Sequence, residues 1–303
     1  MKIIIKLFYL LLAFCSLVYA PNAGFTEDLF LEPGKGSLAP QILERMAKEF
    51  PQEKSLPTDL SAMIASYPRF CQGVEFRQDR KIYFIMKNHV RLIYDDGLVK
   101  DFETKLDKPD LKDMLDQLYR PGVIREPFRP DHDPGRFRVD ALFNAVYGDN
   151  GTDVKTNLVP VSFCGTKIMF NAQNGAAKAL ESIGQELAVL LKKRPELRLY
   201  VFPLGGTFLW RKIAGTSRLS PHSWGIAIDL NPRLGAYWRG AKKRGKEVEM
   251  MRNQYPQEIV EIFEKHGFIW GGKWSHFDLM HFEYRPELFQ KWRLTRRIHT
   301  NAF

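Results

Sequence analysis

The clearest periodic pattern lies in the second half of the chain. In residues 174–194, NGAAKALESIGQELAVLLKKR, the apolar residues Leu180, Ile183, Leu187 and Leu190 recur at three- and four-residue spacing. That spacing puts them on one face of a helix, and Pro195 marks its end. LRLYVF at 197–202 and IAIDLN at 226–231 are short apolar runs that read as strands. Helical spacing returns at 256–266, where Gly267 is placed to cap the C-terminus. FIWGG and DLMHFEY then read as strands. The first half is patterned more weakly. QILERMAKEF and LSAMIASY give two short helical patterns. KIYFIMKN and VRLIYDDGLVKDF read as strands, with Asp96-Gly97 as a turn signal. PDLKDMLDQLY at 109–119 opens on Pro and continues with helical spacing, and RPDHDPGRFR at 129–138 reads as a structured loop before a helix at 139–147. Residues 21–40, rich in Pro, Gly and acidic side chains, predict a loose leader. Helices mixed with short strands, without an internal repeat, predict an α+β fold.

The first twenty residues follow another logic. Lys2 and Lys6 precede an apolar run from Leu7 to Val18, and Tyr19-Ala20 closes the segment. This is the layout of a cleaved signal peptide. The competing reading, a membrane anchor, wants about 20 apolar residues, more than this run supplies. Pro21 hinders cutting directly after Ala20. The expectation is an exported protein, periplasmic or secreted, with no stable membrane span after cleavage. The division that follows is 1–20 signal peptide, 21–165 an N-terminal region without assigned role, and 166–303 a C-terminal domain.

The remaining 283 residues are ample for a core, and 45% of the 303-residue chain is hydrophobic. A formal charge of +10 favours anionic partners. Export argues against cellular nucleic acid among them and for the cell wall or an external substrate. Cys71 and Cys164 are the thiols left after cleavage. They form one disulfide or stand apart as two small buried hydrophobes. Their spacing fits neither a redox nor a zinc motif.

Candidate chemistry concentrates in SRLSPHSWGIAIDLNP at 217–232. On a strand, Ile226, Ile228 and Leu230 share the core face, leaving Ala227 and Asp229 on the other. His222 sits in the preceding turn and can fold back toward Asp229. The pair suits zinc, but on these two residues alone a hydrogen bond that anchors a turn is the favoured reading. In WSHFDLMHFEY at 274–284, Asp278 and His281 stand three apart. With His281 as a third ligand, a fourth tetrahedral position stays open for water, and Asp278 can serve as base if the chain bends between them. An edge strand with solvent-facing Asp278 and His281 fits the same pattern.

Ser220-Pro-His222-Ser-Trp-Gly225-Ile-Ala227-Ile-Asp229 resembles the Ser-x-His-x-x-Gly-x-Ala-x-Asp signature of the D-alanyl-D-alanine carboxypeptidase and L-alanyl-D-glutamate endopeptidase family, and GFIWGGKWSHFDLMHFE resembles its second motif. The resemblance covers roughly residues 197–288. It implies a Hedgehog/DD-peptidase-like C-terminal catalytic domain carrying an N-terminal α+β extension, and a Zn2+ peptidase acting on peptidoglycan stem peptides. It implies His222, Asp229 and His281 as zinc ligands and Asp278 as the base. An upstream arginine that binds the oxyanion is also implied; Arg211 is preferred over Arg218. Ser220 and Glu283 are expected to support the site from behind, and His276 to be a surface residue or substrate contact. Two rival readings remain: a non-catalytic zinc-containing wall-binding protein of the same fold, and a hydrolase using Ser220 as nucleophile.

Overall fold

The computed structural model describes residues 29–31, 46, 48–123, 129–239 and 246–300. The signal segment and most of QILERMAKEF lie outside the described residues. Described helices and strands are mixed and the strands pair antiparallel, so the α+β expectation holds.

In the first half, β1 (Leu29–Leu31), β2 (Cys71–Phe76), β3 (Ile82–Met86) and β4 (Arg91–Ile93) form one sheet in that order. The loose leader expected over 21–40 is corrected at Leu29–Leu31, which pair with Val74–Phe76. The long strand expected over VRLIYDDGLVKDF stops at Ile93. Beyond it the carboxylates of Asp95 and Asp96 accept from the N–H groups of Gly97 and Leu98, curling the chain into a turn. Helix α1 (Leu56–Ser66) precedes β2 and shares its hydrophobic core. The short helices α2 (Phe102–Asp107) and α3 (Leu111–Asp116) follow, the latter closed by a capping box between Asp110 and Asp113.

Helices α4 (Asp140–Tyr147) and α5 (Gly151–Asn157) lead into the hairpin β5 (Leu158–Phe163) and β6 (Thr166–Asn171). Helix α6 (Ala176–Lys193) has the predicted apolar face, with Leu180, Ile183 and Leu187 fully enclosed. LRLYVF is not a strand: Pro195–Leu197 form a 3₁₀ turn that runs into the one-turn helix α7 (Arg198–Val201). Proline pre-sets the first helical dihedral, and the buried residues Leu197 and Val201 are four apart, as a helix requires.

The sheet that matters for the site joins β7 (Ala227–Asp229), β9 (His281–Tyr284) and β8 (Phe268–Trp270), with β9 central. Helix α8 (Lys246–Gln254) precedes α9 (Gln257–Lys265), which packs on β8; the chain then ends in α10 (Pro286–Thr300). Helix α10 lies against α1, where the Lys291 ammonium pairs with Asp59 at 2.8 Å and the Tyr67 hydroxyl donates to Glu287 at 2.8 Å. One hydrophobic core therefore runs through both halves, from Met46 to Phe289. Cys71 and Cys164 are both free, each beside a different backbone carbonyl. Among the described residues no helix is long and apolar enough to cross a membrane.

Candidate metal centre and active site

Ser220 is extended, and Pro221 opens a 3₁₀ turn over Pro221–Trp224. Gly225 then reverses the chain with φ +65°, and a Cβ there would meet Leu158 Cδ2 at 2.7 Å. The reversal folds His222 back over the end of β7, bringing its Nε2 3.2 Å from Asp229 Oδ1. As the alternation predicted, Ile226, Ile228 and Leu230 are buried on the core face. Strand β9 supplies the third group. Asp229 and His281 are direct cross-strand partners, and His281 Nδ1 lies 3.0 Å from Asp229 Oδ1.

The ligand-type atoms of His222, Asp229 and His281 lie within 4.8 Å of one another. Among the described residues no other His, Cys, Asp or Glu joins this group. His222 Nδ1 donates to the Thr207 carbonyl at 3.0 Å, because a carbonyl only accepts. Nε2 of the same ring then faces a carboxylate oxygen. Two acceptors at 3.2 Å repel unless a proton or a cation lies between them. Two imidazoles and one carboxylate form a donor set that a zinc ion fits. Without a metal, the carboxylate is met by histidine N–H groups. Burial opposes ionisation of Asp229, but hydrogen bonds from His222 and His281 hold its carboxyl well below the usual range. Burial likewise opposes a charged His281, yet Asp229 and Glu283 push its pKa up to about 9.

The chain does bend between Asp278 and His281: the His281 N–H donates to the Asp278 carbonyl at 3.3 Å. Asp278 Oδ1 is enclosed and has no hydrogen-bond partner. Burial and the negative charge of Asp229 push its carboxyl up to about 6, against the pull of His281, Arg136 and His222. A carboxyl in that range exchanges protons near neutrality.

Arg136 was not anticipated. Its Nε lies 3.1 Å from Asp133 Oδ2, its Nη2 donates to the His276 carbonyl, and its guanidinium stacks 4.4 Å from the centroid of Trp274. Trp274 in turn lies 5.8 Å, ring to ring, from His281. Asp133 is fully enclosed and also takes His276 Nδ1 at 2.7 Å. His276 is thus tied to Asp133 and stacked on Phe102, outside the three-residue group.

Glu283 shares the face of His281, with Oε2 3.5 Å from His281 Nε2. The Arg138 guanidinium clasps both of its oxygens, Nε to Oε1 at 2.8 Å and Nη2 to Oε2. Burial would raise the Glu283 carboxyl, but Arg138 holds it far below its usual range.

The structure does not bring Arg211 to the group. Its side chain is exposed and reaches only the neighbouring Lys212 carbonyl, at 3.5 Å. Arg218 pairs with Asp107 at 3.2 Å. Ser220 is buried, but the hydroxyl that ties this turn belongs to Ser223, which donates to the Arg211 carbonyl at 2.8 Å and accepts from the Arg211 N–H. Both nitrogens of His222 face other partners, so no Ser220–His222–Asp229 relay is assembled. Trp224, Trp270 and Trp274 are core residues. No local signal could have found Arg136 and Arg138, which lie in a loop outside any strand.

Residues 214–284 match the family model described as D-alanyl-D-alanine carboxypeptidase. That segment contains His222, Asp229, Asp278 and His281, so the family resemblance read from the two motifs is borne out and the segment is a peptidase segment. No curated protein and no solved structure matches the chain.

Proposed function

We propose that this chain is an exported zinc peptidase that hydrolyses a peptide bond in the stem peptide of peptidoglycan, on a Hedgehog/DD-peptidase-like domain. The observation that carries this reading is the convergence of His222 Nε2, Asp229 Oδ1 and His281 Nδ1 next to Asp278, whose Oδ1 has no partner. Those three side chains would hold the zinc, which when bound acts as a Lewis acid and makes a water nucleophilic at neutral pH.

The chain's own groups do the rest. Asp278 accepts the proton of the attacking water and returns it to the leaving amine. Arg136 takes the role expected of Arg211. It is the arginine whose charge acts on Asp278, and Asp133 and Trp274 fix its plane. A fixed guanidinium stabilises the charge that develops on the scissile carbonyl oxygen. The D-Ala-D-Ala carboxypeptidase and L-Ala-D-Glu endopeptidase types both suit these groups, and the mass lost from a substrate tells them apart.

The test is mass spectrometry of purified peptidoglycan fragments incubated with the zinc-loaded protein, beside Asp278→Asn. New fragments are expected from the wild type only, lost on chelation and restored by zinc. Full turnover without metal overturns the mechanism. Absence of turnover in a zinc-loaded wild type overturns the peptidase reading in favour of a wall-binding protein.

A further inference from the structure

We propose that Arg138, contributed by the first half of the chain, is a positioning residue of the metal centre that acts on His281 through Glu283. The inference rests on the zinc-site reading above and adds to it a part outside the matched segment. Its starting point is the loop before α4, which is fastened along residues 274–285. The Ser275 N–H donates to the His132 carbonyl at 3.0 Å, the Trp274 indole donates to the Pro134 carbonyl at 2.9 Å, and Arg285 reaches the Gly135 carbonyl. Gly135 has φ +92°, and a Cβ there would meet Ile269 Cδ1 at 2.6 Å and Leu288 Cδ1 at 2.8 Å. The close approach of this loop to β8 and α10 therefore requires glycine.

At the end of this seam Arg138 is buried, with its side chain 8% exposed, and Glu283 is wholly enclosed. A buried carboxylate is costly without a charged partner. The planar fork of Arg138 supplies one and fixes its orientation, since both carboxylate oxygens are engaged and Nη1 is held by the Arg136 carbonyl at 3.2 Å. Fixed in this way, Glu283 presents Oε2 to His281 Nε2. A neutral imidazole that gives its Nδ1 lone pair to a metal carries its proton on Nε2. His281 Nε2 is enclosed without another partner, and Glu283, 3.5 Å away, is the carboxylate placed to accept that proton and so to hold both the tautomer and the ring plane of the ligand. Arg285 approaches the same carboxylate at 3.3 Å but is already committed to Glu287 and the Gly135 carbonyl. Without Arg138 the carboxylate is free to turn toward Arg285 and leave His281 without its acceptor.

A residue that merely pinned the loop would lower thermal stability and leave the metal affinity of folded protein unchanged. The test is therefore zinc affinity of the full chain, by competition with a chromophoric chelator, with the metal-free Tm recorded for each variant. Arg138→Met is expected to raise the zinc Kd about 10- to 100-fold. Arg138→Lys recovers part of that loss, keeping the charge but not the fork. Glu283→Gln weakens zinc comparably, and the double variant Arg138→Met/Glu283→Gln is no worse than the weaker single one, because the two act as a unit. A folded Arg138→Met protein that binds zinc within twofold of wild type overturns the proposal. If Arg138→Met does not fold, Arg138→Lys and Glu283→Gln decide on the same scale. Wild type without zinc affinity removes the metal-site reading itself, whereas equal affinity in wild type and variants removes only this inference.

Discussion

Among the described residues, two groups of side chains bring carboxylates and ligand-type atoms within 4.8 Å of one another, and they differ in what stands between them. In the Asp95–Asp96–Asp110 group lysines meet the carboxylates, Lys112 Nζ lying 2.6 Å from Asp95. Lys100 Nζ lies 2.7 Å from Asp96, 3.0 Å from Asp110 and 2.7 Å from Asp113, with its side chain 2% exposed. Those carboxylates hold the lysine firmly charged, raising its pKa although burial works the other way. Among the described residues no lysine or arginine pairs with Asp229 in the His222–Asp229–His281 group. It sets imidazole nitrogens against a carboxylate oxygen and leaves an enclosed carboxyl oxygen of Asp278 unsatisfied beside them. Clustered carboxylates alone do not mark a metal site. The question that separates the two is whether the fold already supplies the positive charge.

The largest expected effect separates the two groups by chemistry. Asp278→Asn removes the proton acceptor and keeps the shape, so kcat/KM on a stem peptide should fall about 10³-fold, roughly 4 kcal/mol of transition-state stabilisation. Zinc binding should persist in that variant, which steady-state kinetics beside metal analysis would show. The corresponding lesion in the other group is Lys100→Met. It leaves several carboxylates facing each other with their shared cation gone, so unfolding in urea should reveal a loss of about 3 kcal/mol. Activity per folded molecule should not change. A zinc-dependent rescue of Lys100→Met would break the comparison, by showing that the lysine stands in for a metal.

A smaller effect sharpens it. Arg136→Gln should lower kcat about 100-fold, roughly 3 kcal/mol, while Arg211→Gln changes it by less than twofold. Equal losses would return the catalytic role to Arg211. This pair of arginines also shows where sequence reading stopped. Ligand positions were legible because His222 and Asp229 share one turn-and-strand unit, and because alternation fixed which side of β7 faces the site. Asp278, His281 and Glu283 were legible for the same reason, within one turn and one short strand. Arg136, Arg138 and Asp133 lie more than eighty residues before His222. No local pattern says which loop will be laid along 274–285, so nearness in sequence favoured Arg211. Locality misled at LRLYVF too, where an apolar run short enough for a strand also places Leu197 and Val201 on one side of a helical turn.

The smallest effect is a pH dependence, and its sign differs for activity and for stability. Asp278 is raised from an ordinary carboxyl value to about 6, chiefly by burial. As the base it must be ionised, so kcat/KM should fall tenfold per pH unit below an acid limb. That limb lies at about pH 6 or lower, because a bound cation favours the carboxylate. For folding, the raised value means that the native state binds this proton more tightly than the unfolded chain does. Metal-free protein therefore loses stability as pH rises from about 4 to 6, and the full cost remains above that range. The side chain is partly open to solvent, which limits the cost to about 1–2 kcal/mol. Asp278→Asn should accordingly stabilise the metal-free protein at pH 7.5 by about that amount and show little gain at pH 4, in denaturant titrations at the two values. With zinc bound the gain should shrink, since the cation then offsets the penalty on the charged carboxylate. A variant that gains nothing at either pH would mean that the Asp278 carboxylate is already compensated inside the protein, as the carboxylates around Lys100 are, and the contrast between the two groups would narrow to the imidazoles alone.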